Sequence, residues 1–480
     1  MKPALLVSAA HKSSGKTTVT LGLAAALTAR GCVVQPFKKG PDYIDPMWLA
    51  LAAGRPCLNL DPVLMGWDEI AATFAERMRG ARLGLVEGNK GLHDGLALDG
   101  SNSNAALAGR LGLPVLLVLD ARGMTRGIAP LILGYQAFDP SIRIGGVILN
   151  RVGGSRHEAK LRAVIEHYTD VPVLGAVPQD NRLELVERHL GLMPDRELGD
   201  APQRVRAMGE LVAGCVDLGA VQSLGASRRH VDAVVPAPVA PRRGGTALRI
   251  GIARDKAFGF YYPDDLAALV AEGAELVPID TLADRDLPPA LDGLFIGGGF
   301  PELFMAELEA NVALRTALHR AIVDGLPVYA ECGGLMYLAR SIHWNGRSAQ
   351  MVGAIPGDVV IHARPVGRGY VRLQETADFP WPHDTDAPQP RLGHEFHHSS
   401  LENLDPSVRF AYRVQRGHGI DGEHDGVMVH QVLASYAHLR QAGGNDWPRR
   451  FVAHVRRVRD AGGIAHLPPR PRRDDAWTAR

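Results

Sequence analysis

Residues 10–17 (AHKSSGKT) have the types and spacing that bind a phosphate chain. They follow an apolar run and open a helical pattern, as a P-loop does, with Ala10 in place of the first glycine. In such a loop, backbone N–H groups surround the phosphates. Lys16 then reaches the β- and γ-phosphates and Thr17 binds Mg²⁺. Lys12 stands four residues before Lys16, not the five of the deviant Walker motif, so it receives no catalytic role. The pattern predicts nucleotide binding; the alternative is a chance match in a turn.

Carboxylates stand at the ends of two other predicted strands. Asp42 and Asp45 lie three residues apart on a turn, where they either face a metal-bound phosphate or cap a helix. Glu87 ends the apolar run LGLVE in the Walker B position, where an acid holds Mg²⁺; a plain turn is the alternative. Asp94 follows in GLHDG. Asn150 ends a further strand, where an amide can read an adenine ring.

Cys332 is the candidate nucleophile of the second half. It follows the apolar run PVYAE and precedes Gly333, a pattern typical of a nucleophile elbow. A following helix would lower the pKa of the thiol, whereas a lone cysteine elsewhere is usually a buried inert thiol. Upstream, the run FIGGGFPE ends a strand in three glycines, whose N–H groups suit an oxyanion hole or form a flexible turn.

A thiol nucleophile requires a base, and the chain has 19 histidines. Two positions are candidates: His438, after a strand-like run, and the cluster GHEFHHS at 393–399. His394 and His397 in that cluster have a spacing that can bind a metal, but no third ligand supports it. Composition alone does not choose between them.

Alternation of strands and helices places these residues in an α/β fold. At roughly 150 residues per domain, 480 residues suggest two or three domains. The predicted strands are apolar throughout, without alternating polar residues, and they lie between helices. This pattern predicts mostly parallel sheets covered on both faces. The predicted strands are Ala4–Ala9, Val33–Phe37, Leu83–Val86, Val115–Leu119, Gly146–Leu149 and Val171–Val177, then Leu248–Ile252, Glu275–Ile279, Gly293–Ile296 and Pro327–Ala330.

Composition limits the partners. The 53 Lys and Arg residues balance 52 Asp and Glu residues, which excludes a chain-wide basic field for nucleic acid. Without a run of 18 apolar residues, we expect no membrane helix. The four cysteines form no CxxC pair, so we expect a reducing cytoplasm. We predict a nucleotide-binding domain at 1–195, a Pro- and Gly-rich linker region at 196–246, a second domain at 247–455 and a disordered tail at 456–480.

Together these motifs resemble the cobyrinic acid a,c-diamide synthase family, which includes hydrogenobyrinic acid enzymes. The similarity covers about residues 3–455 in the family order. It implies a P-loop domain similar to dethiobiotin synthetase and a domain similar to class I glutamine amidotransferases. The motifs that carry it are the P-loop, FKKGPDYIDP, VEGNKGLHDG, ILNRV, FGFYYPDDL, GGGFPE, YAECGG, GHEFHHS and SYAHL.

The resemblance implies two chemistries on one chain. Cys332 attacks the side-chain amide of glutamine, with His438 as its base and with Gly298, Gly299 and Gly333 as oxyanion donors. The ATPase domain phosphorylates an acetate carboxylate of cobyrinate, hydrogenobyrinate or another cyclic tetrapyrrole. Ammonia then displaces the phosphate at the a and c side chains. An internal route for ammonia between the domains follows as a hypothesis.

The resemblance also assigns the residues of the ATPase site. Nucleotide contacts fall to Gly15, Lys16, Thr17, Thr18 and Asn150. Segments linked to ATP, Mg²⁺ and the acid substrate align with Asp42, Tyr43, Ile44, Asp45, Glu87 and Asp94. The expected metal ligands are Thr17, Asp45 and Glu87. Expected partners are glutamine and the tetrapyrrole, without nucleic acid or membrane; whether the chain forms a homodimer stays open.

The sequence departs from the family pattern at two places. Class I amidotransferases carry His-x-Glu, whereas here the segment is His438-Leu439-Arg440. A Cys–His dyad, or a carboxylate from elsewhere, must therefore serve. Lys90 stands in a segment that is more apolar in the family. It either marks another substrate, such as sirohaem or nickel sirohydrochlorin, or is a solvated surface lysine. A partitioning or switch ATPase would share the P-loop but would not need Cys332.

Overall fold

The computed structural model describes residues 2–183, 187–188, 191–231, 247–382 and 390–462. The chain divides into two compact units, residues 1–238 and 239–480. Within the described ranges, no helix is long and apolar enough to cross a membrane.

The elements of the first unit alternate strand and helix from the start. In chain order they are β1 (Ala4–Ala9), α1 (Lys16–Ala29), β2 (Val34–Lys39), α2 (Ile44–Ala53), β3 (Leu58–Leu60), α3 (Trp67–Arg77), β4 (Leu83–Glu87), α4 (Asn104–Leu111), β5 (Val115–Asp120), α5 (Ile128–Phe138), β6 (Ile144–Val152), α6 (Ser155–Tyr168), β7 (Val173–Pro178), β8 (Glu187–Arg188), β9 (Gly191–Leu192), α7 (Ala201–Cys215) and α8 (Leu218–Ala226).

A seven-stranded parallel sheet forms the centre of the first unit. Its order is β3-β2-β4-β1-β5-β6-β7. Every residue of β1 and β2 is buried, as expected for strands covered on both faces. The predicted α/β class is confirmed here. All six predicted strands are present within a few residues of their expected bounds, and the short strand β3 is additional.

Helices α7 and α8 lie within the range 196–246 that the sequence assigned to a linker. Val205, Met208 and Val212 of α7 are buried against the core of the first unit. Gly209 approaches α1 so closely that a Cβ on it would lie 2.9 Å from the Cβ of Ala25. The small residues of this contact weaken the apolar periodicity from which a helix is predicted. Residues 232–246 of the predicted linker lie outside the described residues.

The second unit adds antiparallel strands to a parallel centre. In chain order its elements are β10 (Leu248–Ala253), β11 (Phe258–Phe260), α9 (Pro263–Ala271), β12 (Ala274–Ile279), β13 (Gly293–Ile296), β14 (Gly298–Gly299), α10 (Met305–Ala310), α11 (Val312–Val323), β15 (Val328–Glu331), α12 (Gly333–Leu338), β16 (Ala339–Trp344), β17 (Arg347–Gln350), β18 (Ile355–Ile361), β19 (Gly367–Glu375), β20 (Arg391–His397), β21 (Ser399–Glu402), β22 (Arg409–Arg416), β23 (His424–Val429), β24 (Val432–Ser435) and α13 (Trp447–Asp460).

A nine-stranded sheet positions the candidate catalytic residues of the second unit. Its order is β12-β10-β13-β15-β24-β23-β22-β19-β20. The first five strands are parallel and the rest pair antiparallel. The four predicted strands match β10, β12, β13 and β15. Helix α13 extends to Asp460, five residues into the range predicted as a tail. Residues 463–480 of that tail lie outside the described residues.

Candidate active sites

The loop between β1 and α1 is shaped by contact with β6. Gly15 precedes α1 with a φ of +83°, and a Cβ on it would lie 2.0 Å from Nδ2 of Asn150. That amide group donates a hydrogen bond of 2.8 Å to the carbonyl of Ser14. Asn150 was expected at an adenine ring. The structure places its buried side chain against the loop backbone, where it fixes the path of the loop, and the contact with adenine stays a prediction.

Further side chains hold the carbonyl groups of the same loop. Arg151 donates a hydrogen bond of 2.7 Å to the carbonyl of Ser13 and pairs with Asp120 at 2.8 Å. The hydroxyl of Tyr135 donates to the carbonyl of Ala10 at 2.5 Å. Because these bonds occupy carbonyl oxygens, the loop is held in shape while its N–H groups stay available for phosphates.

Lys38 is buried among the carboxylates at the end of β2. Its Nζ atom donates hydrogen bonds to Asp45 and, at 2.9 Å, to Glu87, and it lies 3.7 Å from Asp42. Although burial opposes charge, Asp45 and Glu87 raise the pKa of Lys38 well above its usual value. The ammonium therefore neutralises part of the cluster. Lys38 was not among the residues predicted for the site, although a lysine at a strand end before two aspartates was an available signal.

The three expected metal ligands lie together beside this ammonium. The hydroxyl of Thr17 donates to Glu87 Oε1 at 2.7 Å and lies 3.4 Å from Asp45 Oδ2. The Nζ atom of Lys16 is 3.7 Å from the same Glu87 oxygen, and burial lowers the pKa of Lys16. The P-loop lysine and the Walker B acid are therefore neighbours, as the motif predicts.

Asp42 caps the start of α2, and this role does not exclude the alternative that its carboxylate faces a metal-bound phosphate. Its Oδ1 atom accepts the N–H groups of Ile44 at 3.0 Å and Asp45 at 3.2 Å, at the start of α2. Burial and the neighbouring charge of Asp45 raise the pKa of Asp42 to about 7. Tyr43 and Ile44 are half-buried at the start of α2, and Thr18 is half-buried in the first turn of α1.

The loop after β4 is organised by the buried amide of Asn104. That side chain bonds the backbone N–H and carbonyl of Asn89 and the carbonyl of Gly91, at 2.7–2.9 Å. Asp94 accepts the Gly91 N–H at 2.9 Å, so its carboxylate shapes its own turn. Lys90 lies between these anchored residues with a φ of +51° and an exposed side chain. It is therefore presented to solvent at the carboxyl end of β4.

The oxygen donors of this site fit Mg²⁺. Glu87 Oε2 is buried and accepts no hydrogen bond from the residues that the structure describes, and carboxylate and hydroxyl oxygens are ligands that Mg²⁺ prefers. Within the part of the chain that the structure describes, no group of three or more His, Cys, Asp or Glu side chains is arranged to hold a metal ion. A bound Mg²⁺ would accordingly rely on nucleotide phosphates and water as well as on protein oxygens.

Cys332 occupies a strained turn between β15 and α12. Its φ of +47° is rare for a residue with a side chain and costs about 1–3 kcal/mol. Its N–H donates to the carbonyl of Ser435 at 2.7 Å, and Ser435 pairs with Glu331 across β15 and β24. This register brings His438, three residues beyond Ser435, to the thiol.

His438 is the histidine that the structure places at Cys332. It hydrogen-bonds the Cys332 side chain, and its Nδ1 atom lies 3.3 Å from Glu331 Oε2. Although burial opposes charge, these two partners raise the pKa of His438 to about 10. His438 is therefore suited to carry a proton beside the thiol of Cys332. His394, the other candidate, exchanges backbone hydrogen bonds with His438, and burial lowers its pKa to about 3.

The three expected oxyanion glycines converge on this pair. A Cβ on Gly298 would lie 2.7 Å from His438 Cε1, and one on Gly333 would lie 2.8 Å from the backbone nitrogen of Gly299. A Cβ on Gly299 would lie 1.9 Å from the carbonyl of Ala257. Only glycine fits at these positions, so the backbone itself forms this wall of the site.

The FYYPDDL segment anchors the chain after His438. Arg440 pairs with Asp264 at 2.7 Å, and Asp265 accepts the N–H of Gln441 at 2.6 Å. Arg440 stands where class I enzymes carry glutamate, so that position is used to hold the loop. The carboxylate at the imidazole is Glu331, which the sequence analysis did not identify. Its one signal was its position directly before the cysteine.

Each unit matches a known protein family. Residues 6–192 match a family described as the CobQ/CobB/MinD/ParA nucleotide binding domain. Residues 249–445 match the CobB/CobQ-like glutamine amidotransferase domain. Fold and site thus define a glutamine amidotransferase joined to a P-loop nucleotide-binding domain.

Curated relatives span nearly the whole chain. A cobyrinate a,c-diamide synthase of Magnetococcus marinus is 46% identical over 95% of this chain and 98% of its own. The enzyme of the same name from Methanosarcina acetivorans is 41% identical over 91% of this chain and 92% of its own. A third, from Methanothermobacter thermautotrophicus, is 36% identical over 92% and 97%. The chain belongs to the cobyrinate a,c-diamide synthase family.

Proposed function

We propose that this chain converts the a and c acetate carboxylates of cobyrinate or hydrogenobyrinate to amides, using ATP and glutamine. The observation that carries the proposal is the pairing of two sites on one chain. One is the Cys332–His438 pair, and the other is the P-loop with its buried carboxylates. Relatives named for this reaction match both units over most of their length. We also propose a cytoplasmic location, which accords with the four free cysteines.

The second unit supplies ammonia. The Cys332 thiolate attacks the side-chain amide carbon of glutamine, and the resulting oxyanion lies toward the N–H groups of Gly298, Gly299 and Gly333. The His438 imidazolium donates its proton to the departing nitrogen, and the C–N bond breaks. Ammonia is released, and a thioester remains on Cys332. Water then hydrolyses the thioester, which releases glutamate and restores the thiol.

The first unit activates the carboxylate. A carboxylate is a poor acyl donor because hydroxide leaves badly, whereas phosphate leaves well. A substrate carboxylate oxygen therefore attacks the γ-phosphorus of ATP, which forms an acyl phosphate and ADP. Ammonia attacks the acyl carbon and phosphate departs, leaving the amide. Lys16 and Lys38 supply positive charge at this site.

Mg²⁺ is the expected cofactor beside ATP. Thr17, Asp45 and Glu87 would hold it, since their oxygens lie together and Glu87 Oε2 has no hydrogen-bond donor among the described residues. When bound, Mg²⁺ supplies neutralisation of phosphate charge. The protein's own residues orient the reactants: the loop N–H groups hold the phosphates, and Lys16 reaches the transferred group.

A substrate panel tests this proposal. The purified chain, with ATP, Mg²⁺ and glutamine, is offered cobyrinate, hydrogenobyrinate, sirohaem and nickel sirohydrochlorin, and the products are identified by mass. We expect two successive carboxyl-to-amide conversions on cobyrinate or hydrogenobyrinate. A Lys16→Met variant is expected to lose amidation while still hydrolysing glutamine. Turnover of sirohaem or nickel sirohydrochlorin alone would contradict the proposed substrate and direct attention to Lys90.

A further inference from the structure

Glu331 is the carboxylate that faces the base of the glutaminase site. Its Oε2 atom lies 3.3 Å from Nδ1 of His438, and the side chains are only 3% and 4% exposed. Because one ring nitrogen is directed at the carboxylate, the other is left to serve Cys332. We propose that Glu331 is the positioning residue that orients and charges His438. This inference rests on the proposed glutamine hydrolysis.

The carboxylate of Glu331 is fixed by two further hydrogen bonds. Its Oε1 atom accepts the backbone N–H of Leu439 at 2.9 Å and the hydroxyl of Tyr329 at 2.7 Å. Tyr329 is itself fully buried on β15. One oxygen therefore holds the strand and the loop after His438, while the other addresses the imidazole. A carboxylate held in this way can select one tautomer and one ring orientation.

In class I amidotransferases, a glutamate two residues after the histidine supplies a carboxylate to the imidazole, whereas this chain has Arg440 at that position. Arg440, two residues after His438, is buried and directs its guanidinium at Asp264 of α9, with nitrogen–oxygen distances of 2.7 and 3.1 Å. That pairing tethers the loop but offers the imidazole no negative charge. Glu331 supplies the charge from the strand that also carries the nucleophile.

Removal of the Glu331 charge has a defined effect on pH dependence. The titratable groups around His438 are Cys332 and Glu331 on one side and His394, with ring centroids 6.4 Å apart, on the other. Glu331 helps to raise the pKa of His438 to about 10. Without that charge, the imidazolium loses its proton at a lower pH. The alkaline limb of glutamine hydrolysis then moves to lower pH.

Kinetics of Glu331→Gln in the full chain test the inference. We expect kcat for glutamine hydrolysis to fall about 10²-fold or more with little change in KM, and the alkaline limb to shift downward. The matched control is Glu395→Gln, since Glu395 is a buried carboxylate that accepts the N–H groups of His418 and Gly419. The control should keep the wild-type pH limb. Amidation driven by ammonium salts should persist in Glu331→Gln, which shows that the chain is folded.

Two results would overturn the inference alone while glutamine hydrolysis by the wild-type chain stands. One is a Glu331→Gln variant with wild-type kcat and an unshifted alkaline limb. The other is an equal loss and an equal shift in Glu395→Gln. A wild-type chain that releases no glutamate from glutamine would instead overturn the proposed function, and this inference with it.

Discussion

Two glycines with the same left-handed backbone have opposite surroundings. Gly15 in the P-loop has a φ of +83°, and a Cβ on it would collide with Asn150, whereas Gly31, just after α1, has a φ of +75° and nothing within 4 Å of an added Cβ. At both positions a side chain would be strained by the backbone conformation, at a cost of about 1–2 kcal/mol. Only Gly15 also forces a neighbour to move. Comparison of substitutions at Gly15 and Gly31 therefore separates the free-energy cost of the backbone conformation from the cost of disturbing the P-loop.

Substitution of these glycines tests whether Asn150 holds the loop. We expect Gly15→Ala to raise the KM for ATP by about tenfold or more, which corresponds to about 1.4 kcal/mol. The matched variant Gly31→Ala should lower stability by about 1–2 kcal/mol and leave the KM for ATP unchanged. Initial-rate measurements at varied ATP make the comparison. An equal effect of both variants on KM would show that the contact with Asn150 is immaterial.

At the scale of elements, the contact of α1 with α7 extends the first unit beyond residue 195. Gly22 on α1 and Gly209 on α7 lie at this contact, and a Cβ on Gly22 would lie 2.3 Å from Val212. Close approach of this kind fixes the position of α1, and α1 begins at the P-loop lysine. We propose that α7 and α8 are part of the nucleotide-binding domain.

Two glycines on α7 test that proposal. Gly209 is buried against α1, whereas Gly214 has nothing within 4 Å of its added Cβ. We expect Gly209→Ala to destabilise the first unit by about 1–3 kcal/mol through overpacking. Gly214→Ala should stabilise it by up to about 1 kcal/mol, because alanine favours the helix. Thermal melts with and without ATP identify the transition of the first unit. Equal responses of the two variants would contradict packing of α7 on α1.

Most parallel strands of both units were predictable, because apolar runs such as Ala4–Ala9 and Gly293–Ile296 alternate with helical patterns, whereas the parallel strands β3 and β24 were not predicted. Strands β16 to β22 were not predicted either, since their alternating polar residues resemble loops; β23 overlaps the strand-like run before His438. At the sites, the motifs identified Cys332 and Glu87. They did not identify Lys38 or Glu331, whose roles depend on which strands are neighbours. Pairing of β2 with β4 and of β15 with β24 exists only in the folded chain.

At the scale of the whole molecule, the proposed reaction gives each unit a separate task. The first unit holds the P-loop and the buried carboxylates, and the second holds the thiol and its base. Ammonia is the one reactant that the two tasks share. At neutral pH free ammonia is mostly protonated, so release from glutamine by this chain provides the nucleophilic form. A chain that lacks the thiol should therefore need only a different source of ammonia.

The most direct measurement of this division is the nitrogen source of a Cys332→Ala variant. With cobyrinate, ATP and Mg²⁺, we predict that it forms the diamide from high ammonium and none from glutamine. The matched control Cys215→Ala removes a thiol on α7, outside the glutaminase site, and should use both sources. If Cys332→Ala amidates with neither source, or still amidates with glutamine, the assignment of the two tasks to two sites is contradicted.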